Sequence, residues 1–223
     1  MNNKLLFQAM IKFILGVIIV GGLLFIPAES IKYWNAWLFM GLLFIPMFIV
    51  GLILMNKKPE LLKRRLKAKE SEPQQKQVIF LSGLMFILGF IAAGLNYRYS
   101  WIKMPNSVVI ISTIIFAIAY ILYAEVLREN VYLSRTIEVQ ENQKVIDTGL
   151  YGMIRHPMYA ITVLLFLTIP LILGSIVSFI IFLVYPIIII KRIKNEEKVL
   201  EKELIGYSEY MKKVKYRLIP FIW

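Results

Sequence analysis

Five apolar runs almost free of charge, at about 13–28, 34–55, 78–97, 106–124 and 158–190, leave this chain few ways to fold. A bilayer core of about 30 Å takes roughly 20 apolar helical residues to cross. Inside it the backbone must satisfy its own hydrogen bonds. Each of the first four runs suits one crossing. The fifth is too long for one, and Leu173-Gly174-Ser175 in its middle reads as a turn. The sequence therefore predicts an all-α polytopic transmembrane bundle of about six spans, with a polar C-terminal helix. Five spans result if the 158–190 hairpin only dips into the membrane. The chain reads as a single membrane domain over 1–223, with four N-terminal spans in 1–127. A loop, the helical hairpin and the C-terminal helix follow in 128–223.

Charge placement tests the same reading independently. Of the 26 Lys and Arg, 23 fall before the first run, in 56–77, in 128–157 or after 190. Only Lys32, Arg98 and Lys103 occupy the other two loops. Basic residues gather on the cytoplasmic side, and this split alternates correctly only for an even number of crossings. Both termini are expected in the cytoplasm, of a bacterial-type plasma membrane. The net charge of +12 is then a topology signal. Its expected neighbours are membrane lipids with anionic headgroups, not nucleic acid. The basic loop 56–77 reads as a short interfacial helix on such lipid, or simply as a topology determinant. The first run, which could imitate a signal peptide, lacks a small-residue cleavage site and reads as a retained span.

With no cysteine and one histidine, disulfides, thiolate nucleophiles and a zinc site are not expected. Polar chemistry concentrates after residue 128. In Tyr151-Gly152-Met153-Ile154-Arg155-His156-Pro157-Met158-Tyr159, Pro157 suits the first position of a helix, so His156 falls at its N-cap. Free backbone N–H groups and the positive dipole end there attract a carboxylate or phosphate, and Arg155 adds a charge. The plainer reading is a capping histidine beside a headgroup anchor. Arg192 and Glu196 stand four apart and share a helix face. They could meet a carboxylate and a cation or hydroxyls, or could be ordinary surface ion pairs. Tyr207 and Tyr210 also share a face and could stack on a flat ring. Glu125 reads as the partner of Arg128.

Taken in this order and spacing, these stretches resemble the isoprenylcysteine carboxyl methyltransferase family, integral membrane methyltransferases related to the phospholipid methyltransferases. The resemblance runs over roughly Arg128–Phe221. It rests on Tyr151, on Arg155-His156-Pro157-Met158-Tyr159, and on Arg192 followed by Glu196-Glu197. It implies S-adenosyl-L-methionine as methyl donor, held without a Rossmann fold. By position it implies that Gln143, Lys144, Val145 and Ile146 run along the adenosyl part of the donor. Tyr151, His156, Pro157, Met158, Tyr159 and Glu196 are the implied further cofactor contacts. Arg192 is the implied substrate-binding residue, meeting the acceptor carboxylate, and with Glu196 forms the implied catalytic pair. The implied acceptor is a lipophilic small molecule or a lipidated chain, entering from the bilayer.

Two other readings compete. An NADPH-dependent membrane sterol or lipid reductase has a similar C-terminal half but needs a basic group for the 2′-phosphate, and none is convincingly placed. A non-catalytic transporter or scaffold would put polar residues near mid-membrane, whereas the motifs here lie at the edges of the spans.

Overall fold

The computed structural model describes residues 3–66, 73–134 and 139–223. Its elements are α1 (Asn3–Ala28), α2 (Trp34–Lys57), α3 (Pro59–Leu66), α4 (Pro73–Tyr99) and α5 (Asn106–Glu129). After a loop and a 3-10 turn (Gly149–Gly152) come α6 (Pro157–Ile172), α7 (Ile176–Phe182), α8 (Tyr185–Glu203) and α9 (Tyr207–Lys213). Among the described residues there is no strand. The result is a polytopic helical bundle.

Among the described residues, five stretches are long and apolar enough to cross a membrane: Lys4–Ala28, Trp34–Lys57, Gln75–Tyr99, Asn106–Glu129 and Ile176–Glu203. The last combines α7 and α8. Large apolar side chains such as Phe7, Ile14, Ile18 and Ile19 of α1 point outward. A surface of that kind suits lipid and not water. The interfacial helix expected over 56–77 is shorter than that loop. Pro59 opens α3 and Pro73 opens α4, each at a position where a missing N–H is tolerated, and 67–72 lie outside the described residues.

The hairpin is present, and its tip is covered by protein. α6 has 16 residues, about 24 Å at about 1.5 Å per residue, short of a bilayer core of about 30 Å. Carbonyls at a helix C-terminus lack intrahelical partners, and here side chains from other helices supply them. Tyr33 Oη donates to Leu173 O at 2.5 Å, Asn35 Nδ2 to Ile172 O at 2.8 Å, and Asn96 Nδ2 to Gly174 O at 3.3 Å. Ser175 then caps α7, its Oγ accepting from Ser178 N at 3.2 Å.

The α7–α8 junction is a break that the apolar run did not announce. Pro186 has no N–H for the Phe182 carbonyl, and its ring crowds that turn. Local bonds close the gap: Val184 N donates to Ile181 O at 3.3 Å, and Ile188 N to Val184 O at 3.2 Å.

α4 runs through the middle of the bundle, against α1, α7 and α8, while α5 lies along α6. Close approach explains two glycines. A Cβ on Gly94 would sit 2.6 Å from Leu24 O, and one on Gly89 would sit 2.3 Å from the Phe182 ring. Small residues at such crossings let membrane helices pack directly. Phe39 and Phe90 meet at 5.7 Å between ring centroids, and Phe182 joins Phe90 at 6.2 Å. These rings fill the centre of the bundle.

Candidate active site

The far end from the hairpin tip carries the polar groups. There the chain enters α6 through Arg155-His156-Pro157. The entry is fastened to the C-terminal tail, since Arg155 N donates to Tyr216 O and His156 N to Arg217 O, both at 2.9 Å. Beneath it lies the Glu197 carboxylate, on a residue only 5% exposed. Arg155 Nε donates to Glu197 Oε1 at 2.7 Å, His156 Nε2 lies 3.2 Å from the same oxygen, and Arg217 Nε donates to Oε2 at 2.7 Å. Arg155 also donates through Nη1 to Val214 O at 2.8 Å. A buried charge is tolerated when paired and fully hydrogen-bonded, and this one ties α6, α8 and the tail together.

That network corrects the expectation for Arg155. Its guanidinium is engaged inside the protein, by Glu197 and by the Val214 carbonyl. His156 occupies the N-cap position, yet its side chain makes no capping bond. Glu197 fixes the ring instead.

One residue earlier on α8, Glu196 faces a cleft. Tyr159 Oη donates to Glu196 Oε2 and itself accepts from Arg192 Nε at 2.7 Å. The Arg192 guanidinium carbon lies 5.7 Å from the Tyr159 ring centroid. Guanidinium, phenol and carboxylate thus form one chain of hydrogen bonds. The α6–α8 pairing that brings them together follows from the hairpin.

The cleft gathers Gln143, Lys144, Val145, Ile146, Tyr151, His156, Met158, Tyr159, Arg192 and Glu196, all of which the sequence singles out. Pro157 is buried at the start of α6 and does not line it. Segment 139–145 is held by α9: Val139 and Val145 pack on Leu204, Tyr207, Tyr210 and Val214. Lys213 Nζ donates to Asp147 Oδ2 at 2.6 Å, and Tyr210 Oη to Tyr151 O at 2.7 Å. Gly149 turns the chain at φ +49° against Glu129, whose carboxylate accepts from Thr148 Oγ1 at 3.0 Å. Glu125 does pair with Arg128, at 2.6 Å.

The sequence missed Asn130, Tyr132, Leu133 and Ser134, which form one wall. They lie in irregular chain with no periodicity to flag them. Leu200 and Leu204 also line the cleft, and the sequence does not single them out. Tyr207 is 4% exposed, and its hydroxyl has no hydrogen-bond partner among the described residues. Buried hydroxyls are normally paired, so an unpaired one in a cleft wall points to a ligand.

Beside the cleft lies a second, apolar cavity of about 420 Å³ between α1, α2, α3, α5 and α6. Phe13, Met47, Phe48, Leu54, Leu127 and Phe166 are among its walls. Arg65 of α3 stands at its edge, 3.8 Å from the Met158 sulfur that also borders the cleft.

The bundle thus holds a polar cleft and an apolar cavity, linked by the contact between Arg65 of the cavity and Met158 of the cleft. Residues 107–204 match the family described as phospholipid methyltransferase. That stretch runs from the start of α5 to the end of α8. It includes Arg192, Glu196 and the α6 entry, but neither α1–α4 nor α9. No curated protein matches the chain. Fold and family match together support an integral membrane methyltransferase.

Proposed function

We propose that the protein transfers a methyl group from S-adenosyl-L-methionine to a lipophilic or prenylated acceptor, at a carboxylate. The observation that carries this reading is the Arg192–Tyr159–Glu196 chain of hydrogen bonds, which sets an anion-binding and a cation-binding group side by side in one cleft.

The donor set fits the proposed cofactor. Glu196 offers a carboxylate to an ammonium or to ribose hydroxyls. The unpaired Tyr207 hydroxyl offers a further polar contact. Val145, Ile146, Leu200 and Leu204 provide apolar plates for a flat base. The enclosed volume is about 100 Å³, below the roughly 300–1,000 Å³ usual for ligand pockets, so the fit rests on donor chemistry and not on shape. When bound, the cofactor supplies an electrophilic methyl on a sulfonium.

The remaining needs fall to the chain itself. Displacement at that methyl is in-line, so the acceptor must be held at near contact. A carboxylate is already ionised near neutral pH, with an ordinary pKa of about 4, and requires no general base. Arg192 orients it, and Tyr159 fixes Arg192 relative to Glu196. The apolar cavity takes the hydrocarbon arm, which enters from the bilayer while the donor enters from water. The basic end of the bundle, with both termini, then faces the cytoplasm of a bacterial-type plasma membrane. The family's description names a phospholipid, which makes a phospholipid carrying an amine the second acceptor proposed. That substrate must lose a proton, and Glu196 is the carboxylate placed to take it.

Calorimetric titration of detergent-purified protein with S-adenosyl-L-methionine, S-adenosylhomocysteine and NADPH tests the cofactor. Both adenosyl compounds are expected to bind, and Glu196→Gln to lose that binding. NADPH binding alone would replace this reading with the reductase.

A further inference from the structure

We propose that Arg65 selects the acceptor's head group, holding an oxyanion, carboxylate or phosphate, where the apolar cavity meets the polar cleft. This rests on the reading of the cavity as the acceptor's site.

The sequence treats 56–77 as basic residues flanking a span. A basic residue that only sets topology belongs among headgroups and water, and Lys63 is exposed in that way. Arg65 instead turns inward. Its guanidinium donates through Nη2 to Tyr123 Oη, lies 5.6 Å from that ring's centroid and reaches the Met158 sulfur. Among the described residues it meets no carboxylate. A cation beside an apolar cavity within a membrane protein is costly and marks a functional position. Its planar fork matches the two oxygens of a carboxylate or phosphate.

The helix that carries it is held down. Leu61 and Leu62 are buried beneath α3. Lys58 Nζ donates to Arg128 O at 3.1 Å, and Arg64 Nη1 to Val131 O at 2.9 Å. Lys12 of α1 donates to the Leu66 carbonyl from the other side. α3 therefore covers one end of the cavity in a fixed pose. Arg65 lines the cavity and reaches Met158, which lines the cleft beside Tyr159, and Arg192 touches Tyr159 there. A head group passing from cavity to cleft meets both cations.

Three C18 amphiphiles that differ only in head group supply the test: oleate, oleyl phosphate and oleyl alcohol. Their binding is measured on protein in phosphatidylcholine nanodiscs. Wild type is expected to bind at least one of the two anions about tenfold tighter than the alcohol, as a charged hydrogen bond allows. The tighter of the two identifies the oxyanion. Arg65→Gln should erase the preference, Arg65→Lys should keep part of it, and Lys63→Gln should keep all of it. Gly51→Leu should weaken all three ligands, because Gly51 lines the cavity and an added Cβ there meets open space. No preference in wild type, or a preference surviving in Arg65→Gln, would overturn the proposal. So would undiminished binding in Gly51→Leu. If Arg65→Gln does not fold, a full preference in Arg65→Lys overturns it instead. Titration of each variant with S-adenosylhomocysteine separates the two readings. A wild type that ignores this compound defeats the donor assignment and leaves the amphiphile result standing.

Discussion

Glu196 and Glu197 are neighbours on α8 and meet different partners. Glu197 lies buried with Arg155 and Arg217 each donating to it at 2.7 Å, while Glu196 looks into the cleft and accepts from Tyr159. One carboxylate thus ties the fold together while the other is the one proposed to bind the donor, and substitution can pull the two apart.

Glu197→Gln should destabilise strongly. Removing one partner of a buried pair costs about 3–5 kcal/mol, because the charge left behind has no counterpart. The 35% exposure of the Arg217 side chain places this case near the lower end, about 3 kcal/mol. Glu196→Gln should leave the melting temperature in detergent almost unchanged while donor affinity falls. Thermal melts and titrations on both variants check the contrast. Equal melting losses would remove the distinction.

The hairpin tip is the second place where one side chain matters. Asn35 is 8% exposed and donates to Ile172 O. Asn35→Leu leaves that carbonyl without a partner in apolar surroundings, at a cost of about 1–3 kcal/mol. Hydrogen exchange at the amides of 173–175 should accelerate, while those of α5 should not change. Uniform acceleration across the bundle would mean that Asn35 supports the whole fold and not the tip.

Alkaline pH should loosen the cover of the cleft. Burial raises the phenol pKa values of Tyr207 and Tyr210 in α9, with smaller contributions from nearby charges. Below the unfolded phenol's value of about 10, both phenols are protonated in either state and stability does not depend on them. Above it the unfolded chain loses protons that the folded chain keeps, so stability falls as pH rises. Tyr207→Phe should flatten that fall, and the tyrosinate absorbance that this substitution removes from wild type should appear only as the protein unfolds. Titration of all the tyrosines in the folded protein near the ordinary value would contradict it.

Much of this was legible along the chain because membranes impose simple rules. Four runs became α1, α2, α4 and α5, and Leu173-Gly174-Ser175 is the turn it resembled. That His156, Arg192 and Glu196 belong to one site was implied by the family resemblance, and they line one cleft because α6 and α8 descend from one hairpin. The role of Glu197 was not legible. Its partners Arg155 and Arg217 are 42 and 20 residues away, and only the folded tail brings them together. The α7–α8 break was hidden because Pro186 sits in an unbroken apolar run. The cavity was hidden because five helices build its wall, and Arg65 looked like one more basic residue in a basic loop.

Arg192 carries the sharpest remaining prediction. Its Nε donates to Tyr159 Oη at 2.7 Å, and Tyr159 in turn donates to Glu196. Arg192→Ala removes the cation and leaves the Tyr159–Glu196 bond, so affinity for S-adenosylhomocysteine should change little. Use of the acceptor should suffer by a charged hydrogen bond, about 1.5–3 kcal/mol, a roughly 10- to 150-fold fall in kcat/KM. Lysine restores charge without the planar fork, so Arg192→Lys should recover part of KM and less of kcat. That split separates orienting the acceptor from merely attracting it. Full activity in Arg192→Ala, with donor binding intact, would remove Arg192 from the reaction and leave Arg65 as the only cation proposed for the acceptor.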